Sequence, residues 1–358
     1  MLTIDRYLTG RSLRAIALVA ASLTSMMLLF ALFDELAEGA DRYGFDDALN
    51  YLWRTLPRRL DDLLLYSVFI GYLAALGQLA EQGELTALRA AGTSPGRLIA
   101  ALTPSLLLCL SLSFALSEYL APKAEQAAEV AKLNAQYGRD ALQNKGGFRI
   151  RDDQLYMQIQ AISDDNGGTL WGLRQYWLDS NQQLVRSVDA DFANFDASNE
   201  LWTLYNVRES RLSAQMTTVE NFAQSVWTNA ITPQLLANQA FLEPKKMSLH
   251  GLTDQINFLQ RQQLQATNYQ LALWTRLLKP FSYFGLALLA LAIVLGPMRS
   301  TGLGPRVALG LLVGLTFKYL QDLFAPMAVV FALPAALAVA LPIGAYTLCG
   351  FLLIRRYA

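Results

Sequence analysis

Apolar residues along this chain gather into six long runs, three before and three after one polar stretch covering residues 122–268. The runs are 15–33, 60–79, 98–120, 269–295, 307–325 and 329–354. Each approaches or exceeds the roughly 20 apolar residues that a helix needs to cross a bilayer core. The pattern predicts six membrane-spanning helices, with residues 1–121 carrying the first three, 122–268 forming an extramembrane domain, and 269–358 carrying the last three.

The polar stretch has a different period. In Leu155-Tyr156-Met157-Gln158-Ile159-Gln160 the apolar Leu155, Met157 and Ile159 share one face and the glutamines share the other, the alternation of a half-buried strand. Similar runs occur at 148–151, 170–178, 184–192, 201–207 and 219–228. They are separated by turn material such as Asp152-Asp153, Asp164-Asp165-Asn166-Gly167-Gly168, Ser180-Asn181 and Asp196-Ala197-Ser198-Asn199. Short strands with short turns predict an all-β domain: a sandwich, a jelly roll or a related open fold. The approach, 123–137, is rich in Ala, Glu and Lys and predicts a helical continuation of the third run. The exit, 248–268, has Leu249, Leu252, Ile256 and Leu259 at helical spacing, with Ser248 as a candidate N-cap.

Composition agrees: 53% hydrophobic and 16% charged residues is well short of the usual quarter charged, and belongs to a membrane protein. Net charge is zero, and no Lys/Arg block suggests nucleic acid as a partner. Cys109 and Cys349 both fall in apolar runs, where they read as small buried hydrophobes. The first run is too long, and its flanks too polar, for a cleaved signal peptide.

Basic residues near the spans set orientation, because short cytoplasmic segments retain the excess of Lys and Arg. With the N-terminus inside, Arg6, Arg11, Arg14, Arg89, Arg97, Arg299, Arg306, Arg355 and Arg356 all fall on the cytoplasmic side. The first external loop is acidic, with Asp34, Glu35, Glu38, Asp41, Asp46 and Asp47, although Arg54, Arg58 and Arg59 lie near its end. The β insert follows an odd-numbered span and is expected outside the cytoplasm.

Catalytic signatures are sparse. The chain contains no G-x-x-x-x-G-K-[ST], so it carries no phosphate-binding loop of its own. Its one histidine, His250, stands at a predicted helix start, where a solvated or capping role outweighs a catalytic one. No Cys/His cluster has metal-ligand spacing, no cofactor is expected, and no carboxylate pair is expected within a span. The chain reads as a non-enzymatic membrane subunit.

Two constellations carry candidate function. Residues 81–97 form the most distinctive cytoplasmic segment: Leu85 and Leu88 at helical spacing, flanked by Glu84 and Arg89 and stopped by Gly92 and Pro95. This is either a tight interfacial loop or a coupling helix that docks on a soluble partner, with Leu85 and Leu88 as anchors and Glu84 as a charged contact. The second constellation is basic: Lys132 just past the third run, Arg276 and Lys279 near the outer end of the fourth, and Lys318 inside the fifth. A cation in hydrocarbon is costly, so such residues face a cavity, a partner or the headgroup layer. Arg276 and Lys279 suit an anionic headgroup, and snorkelling explains them equally. Lys318 has Asp322 one turn on and reads as an intramembrane pair. Leu155, Met157 and Ile159 line either an open groove or an ordinary β core.

Asp5-Arg6-Tyr7, the Gly83-Glu84-Leu85 to Arg89-Ala90-Ala91-Gly92 segment, Met247-Ser248-Leu249, Tyr269-Gln270-Leu271-Ala272-Leu273-Trp274 before Pro280, and Gly296-Pro297-Met298-Arg299 occur in this order over the whole chain. Together they resemble the lipopolysaccharide export permease family, and the Gly296 to Arg299 and Met247 to Leu249 motifs resemble its LptG branch more than its LptF branch. The resemblance implies an ABC transporter subunit of the Gram-negative inner membrane. Its expected partners are an LptF-like permease subunit, two copies of an LptB-like ATPase, and LptC-like and LptA-like periplasmic bridge proteins. The cavity would take lipopolysaccharide from the outer leaflet, and a periplasmic β-jellyroll would pass it on. On this resemblance Glu84 to Gly92 match the ATPase-coupling helix, and Lys132 matches a basic position that approaches lipid phosphates. One position departs: the branch carries a lysine shortly before the Asp-x-Leu at Asp34 to Leu36, where this chain has Ala31, Leu32 and Phe33. Phosphate recognition is then expected to lean on Lys132, Arg276, Lys279 or the partner.

Three other classes match parts of the pattern. A secondary transporter would show repeated halves and midplane ionisable groups, at which only Lys318 with Asp322 hints. A membrane-embedded transferase would need a catalytic carboxylate or histidine set. An ABC-type mechanotransmission subunit would lack a phosphate loop and carry a periplasmic domain, but with four spans.

Overall fold

The computed structural model describes residues 3–38, 43–137, 148–152, 154–163, 168–179, 183–196, 199, 201–213, 216–227, 243–261, 265–296, 302–331 and 333–357. Several residues named above lie outside these: Asp41, Asp153, Asp164 to Gly167, Ser180, Asn181, Ala197, Ser198, and Pro297 to Arg299.

Before the sheet come α1 (Thr3–Glu38), α2 (Phe45–Glu81), the short α3 (Glu84–Ala90) and α4 (Pro95–Ala115). A π-helical turn (Leu116–Leu120) leads α4 into α5 (Ala121–Tyr137). After the sheet come a 3-10 turn (Pro244–Lys246), α6 (Leu249–Arg261), α7 (Thr267–Leu277), α8 (Lys279–Leu295), α9 (Leu303–Val330) and α10 (Ala335–Tyr357). Among the described residues five helices are long and apolar enough to cross a membrane, or six when α7 and α8, bent by 52°, count as one span. The chain is a polytopic helical membrane protein with a β domain between its helices.

Two spans differ from their apolar runs, each at a proline. The fourth run is one stretch in sequence but two helices in space. Pro280, second residue of α8, has no N–H to offer the carbonyl of Arg276, so the ladder breaks there. Phe281 and Ser282 instead donate to the Leu278 carbonyl at 3.0 and 3.2 Å. The sixth span begins at Ala335 rather than 329: α9 runs through Val330, and Pro334 stands just before α10, where it cannot extend the helix behind it.

The second helix is the spine of the bundle, packing against α1, α4, α5, α8 and α9. Phe69, Tyr72, Leu73 and Leu76 are fully buried among Leu286, Leu289 and Ile293 of α8. Burial by neighbouring helices exempts this face of α2 from the lipid, while Leu18, Leu29 and Phe30 of α1 stay exposed, as a membrane surface requires. Gly71 allows the closest crossing: a Cβ there would lie 2.7 Å from the Ile16 Cα, too close for any side chain.

The β domain has six strands: β1 (Phe148–Asp152), β2 (Leu155–Ser163), β3 (Thr169–Leu178), β4 (Leu184–Asp196), β5 (Leu201–Leu212) and β6 (Thr217–Trp227). All neighbours are antiparallel and spatial order equals chain order. Of the sandwich, jelly roll and open fold expected, the described strands form the open one, a single meander. Register places Met157, Gln175, Val188 and Glu209 in one row across β2 to β5. These four are buried, with Ile159, Leu173 and Ala190 in the next row. Leu155, Met157 and Ile159 are 6%, 2% and 0% exposed. Expected to line either an open groove or a β core, they pack in one cluster with Leu173, Val188 and Trp202, on the face that period-2 alternation turns inward in either case.

The exit helix α6 forms as its spacing predicts. The Ser248 hydroxyl accepts from the Gly251 N–H at 3.1 Å, capping the helix. Leu252 packs with Met247 and Ala272, and Ile256 and Leu259 with Ala266, which fixes α6 against α7. Phe258 reaches the sheet's core, so α6 joins the β domain to the bundle.

Candidate functional site: a charged cleft between the third and fourth spans

The break at Leu278 creates the site. It makes Arg276 the penultimate residue of α7 and Lys279 the first of α8, so both cations project at the corner of a bent span. Across from them the third span widens into its π-helical turn. Such turns are rare, and common at functional sites, because they displace the carbonyl ladder. Here the Ser117 carbonyl accepts from the Arg276 guanidinium at 2.9 Å. Between the two spans lies a cleft of about 440 Å³. Its walls are Leu110, Phe114, Leu249, Leu277 and Pro280, with Ser111, Ser113, Ser117, Arg276 and Lys279 as its polar groups. An apolar wall with two cations at one side is what an acyl chain carrying an anionic headgroup requires.

Neither cation is unpartnered. The Lys279 ammonium bonds Asp61 Oδ1 at 2.6 Å, and the Ser113 hydroxyl donates to the same oxygen at 2.5 Å. Asp61 is only 2% exposed, so these two donors stand in for the water its carboxylate lacks. Arg276 lies 3.7 Å from Glu118, whose other role is to accept the Leu249 N–H at the start of α6, at 2.9 Å. Next to them Arg58 pairs with Asp62 at 3.4 Å, within electrostatic reach of Arg276 and Lys279. The cluster thus sets three cations, Arg58, Arg276 and Lys279, against three carboxylates, Asp61, Asp62 and Glu118.

Lys132 is held elsewhere. It is absent from the cleft lining and bonds Glu35 of α1 at 2.5 Å, with its ammonium 4.9 Å from the centre of the Tyr51 ring. It therefore brings a cation to the end of α1, two residues past the Ala31 to Phe33 stretch that lacks one. Tyr43 donates to the same Glu35 oxygen at 3.0 Å, and burial with this carboxylate pushes the Tyr43 phenol well above its ordinary range. The linkage continues through the Tyr51 hydroxyl to Glu129 at 3.3 Å, then to Lys246, which bonds Glu129 at 3.2 Å and Glu125 at 2.9 Å. Burial alone would lower the Lys246 ammonium, but Glu125 and Glu129 outweigh it and hold it above its usual value. This chain of contacts ties α5 to α1, α2 and the 3-10 turn at which the β domain rejoins the bundle.

At the other end of the bundle, α3 is bracketed by Gly83 and Gly92, whose φ values of 74° and 85° are left-handed and natural to glycine. Glu84 accepts from the Tyr7 hydroxyl at 2.9 Å and from Arg11 at 3.3 Å, and Arg97 bonds Asp5 at 2.7 Å. Leu85, expected as a docking anchor, is buried in the same core as Leu8, Leu79 and Leu98. It faces inward because its side of α3 is the one laid against the bundle, so it fastens α3 rather than reaching outward. Leu88 packs partly on the same core and Arg89 is half-buried, leaving Thr86, Ala87, Ala90 and Gly92 exposed.

Lys318 and Asp322 bond each other at 2.9 Å on α9, and both are about half exposed, at 51% and 49%. His250 is exposed beside Asp254. Among the described residues no group of three or more His, Cys, Asp or Glu side chains could hold a metal ion.

The sequence reading passed over the carboxylates. Asp61 and Asp62 stand at the edge of the second run and Glu118 at the end of the third, so the expectation of no carboxylate pair within a span fails. One signal could have found them: intramembrane cations require counter-charges, and Asp61, Asp62 and Glu118 are the acids at the matching ends of neighbouring spans.

Comparison with known proteins gives a consistent result. A family model described as lipopolysaccharide export system permease LptF/LptG matches residues 6–356. The lipopolysaccharide export system permease protein LptG of Escherichia coli strain K12 is 27% identical over 357 residues, covering 99% of this chain and 98% of that protein. The LptG protein of Haemophilus influenzae strain Rd is 25% identical over 341 residues, covering 95% and 94%.

Proposed function

The chain belongs to the lipopolysaccharide export system permease LptF/LptG family, and from that premise we propose that it forms half of the transmembrane cavity of an ABC-type lipopolysaccharide exporter. It takes the amphiphile from the outer leaflet of the Gram-negative inner membrane, and the β insert, on the periplasmic side, passes it toward LptC-like and LptA-like bridge proteins. An LptF-like subunit supplies the other half, and an LptB-like ATPase dimer supplies the energy. The distribution of arginines favours this orientation.

The cleft between α4 and the bent α7–α8 span is the observation that carries the reading. It places an apolar wall beside Arg276 and Lys279, the pairing that an acyl chain and a phosphate require together. Replacing both residues with Ala should weaken photocrosslinking of lipopolysaccharide to a probe at Leu110; unchanged crosslinking would refute the site. Lys132 acts at a distance from this cleft, steadying the end of α1 near the headgroup layer.

Transmission runs through α3. ATP-driven closure of the partner dimer shifts the Glu84 to Gly92 helix, and because Leu85 and Leu88 fasten it to the core, the displacement reaches the spans as a rigid-body movement. Glu84→Ala or Leu88→Asp should release or uncouple the ATPase, and wild-type co-purification with normal ATP turnover would count against that role. Lys318 and Asp322, paired on the surface of α9, face the partner subunit or the shared cavity. Purification from membranes with mass identification of bound proteins and lipid tests the whole assignment: absence of an LptB-like ATPase or of lipopolysaccharide would overturn it.

A further inference from the structure

Within the proposed headgroup site, the carboxylates pose a problem of charge. Lys279 is already satisfied by Asp61 at 2.6 Å, and Arg276 lies 3.7 Å from Glu118 while bonding the Ser117 carbonyl. Anionic phosphodiester lipids of a membrane surface could compete for an exposed cation pair.

We propose that Asp61 and Glu118 act as a built-in charge filter, making the Arg276–Lys279 cleft selective for phosphomonoester headgroups over phosphodiester headgroups.

Headgroup binding here is an exchange of charges. A phosphodiester carries one negative charge, as does the carboxylate it would replace at Lys279. Taking Lys279 from Asp61 gains one ion pair and loses one. It also leaves Asp61, 2% exposed, with only the Ser113 hydroxyl. Breaking a buried pair from one side is the expensive way to disturb it. A phosphomonoester carries about −1.5 to −2 charge near neutral pH and has three acceptor oxygens. It can bridge Arg276 and Lys279 as an added member of the cluster without evicting Asp61, since its second charge is attracted by both cations. Arg58, already paired with Asp62, adds a further positive charge within reach. Ser111 lines the same cleft and adds a polar group for the extra oxygens, while the Ser113 hydroxyl stays on Asp61. Removing the carboxylate charge should erase the distinction, because a cation without a counter-ion accepts either class.

This inference rests on the assignment of the cleft to an anionic headgroup, and the test separates the two. The purified complex is placed in phosphatidylcholine nanodiscs containing equal amounts of dioleoyl phosphatidic acid, a monoester, and dioleoyl phosphatidylglycerol, a diester. Retained lipid is read by native mass spectrometry. The wild type should prefer phosphatidic acid about tenfold, the difference between a charge-assisted and an ordinary contact. Asp61→Asn should bring the preference to near unity by raising phosphatidylglycerol retention, and Asp61→Glu should restore it. If Asp61→Asn does not fold, Glu118→Gln carries the same test with a smaller expected change. Arg276→Ala with Lys279→Ala should lose both lipids. A wild type without preference, or a preference untouched by both carboxylate variants, overturns the filter. Retention of both lipids after loss of the two cations overturns the site itself. Displacement of phosphatidic acid by millimolar inorganic phosphate would overturn the assignment to a membrane-borne headgroup.

Discussion

The two ends of the helical bundle hold their charges differently. At the α3 end the ion pairs are only part-buried, each keeping a member more than a third exposed: Glu84, also bound by Tyr7, with Arg11, and Arg97 with Asp5. At the β-domain end the carboxylate of each pair is nearly sealed from water: Asp61 with Lys279, Glu35 with Lys132, Glu125 with Lys246. Water screens the first group, and each such pair contributes about 0–1 kcal/mol, so its members can be exchanged for a partner protein's charges at little cost. The second group is desolvated, and removing one member leaves an uncompensated charge at about 3–5 kcal/mol. One end is built to be re-paired and the other to resist it, as expected if ATPase docking occurs at the first and charged lipid is selected at the second.

The strongest way to break this contrast is at Asp61. Asp61→Ala should lower stability by about 3 kcal/mol or more, since Lys279 loses its counter-ion and Ser113 its acceptor. The matching cycle is informative: Asp61→Ala with Lys279→Ala should cost clearly less than the sum of the singles, measured by thermal unfolding in detergent. Additive losses would mean the pair is not coupled as its geometry indicates.

Glu35 offers a second test at the same end. Glu35→Ala should cost about 2–3 kcal/mol by removing the buried carboxylate that Lys132 and the Tyr43 hydroxyl share. Adding Lys132→Met should recover part of that loss, because an apolar side chain of similar reach removes the buried charge that Glu35 balanced. No recovery in the double variant would place the Glu35 effect in backbone packing instead.

How much of this was legible in the sequence follows from the range over which each feature is decided. The spans and strands are set by local period and length, and 60–79 or 155–160 could be read from their own residues. The broken fourth span was half-legible: Pro280 was visible, but whether a proline bends or breaks a helix depends on what satisfies the freed carbonyls, here a corner closed by Leu278. Asp61 was legible only as a candidate counter-charge at a matching span end; its pairing with Lys279, 218 residues away, was not. Leu85 shows the reverse error. Its spacing correctly marked an apolar face, yet one chain cannot state whether that face meets its own core or another protein.

The β domain supplies an intermediate case, buried but accessible to protons. Burial raises the Glu209 carboxyl, but the hydrogen bonds from Arg211 and Arg186 outweigh it and hold its pKa below the usual carboxylate range. A depressed folded pKa contributes stability fully present above the unfolded pKa and lost as pH falls through the folded one. Acidification below about pH 4.5 should therefore remove roughly 1 kcal/mol, discounted because both arginines are substantially exposed. Glu209→Gln should lose about 1 kcal/mol less than wild type in that window when the pH dependence of unfolding of the full chain is compared. An unchanged slope would mean that Arg186 and Arg211 do not hold this carboxylate in solution.

The smallest effect on stability is expected at the exposed end, and there its smallness is the informative outcome. Tyr7→Phe removes one hydroxyl that donates to Glu84, a solvated contact, and should cost less than about 1 kcal/mol. If Glu84 is shared between Tyr7, Arg11 and a docking partner, releasing it from Tyr7 frees the carboxylate for that partner. ATPase affinity should then hold or rise while the unfolding temperature barely moves. The opposite result, a large loss of stability with unchanged affinity, would make the α3 end as rigid as the other and remove the division of roles between them.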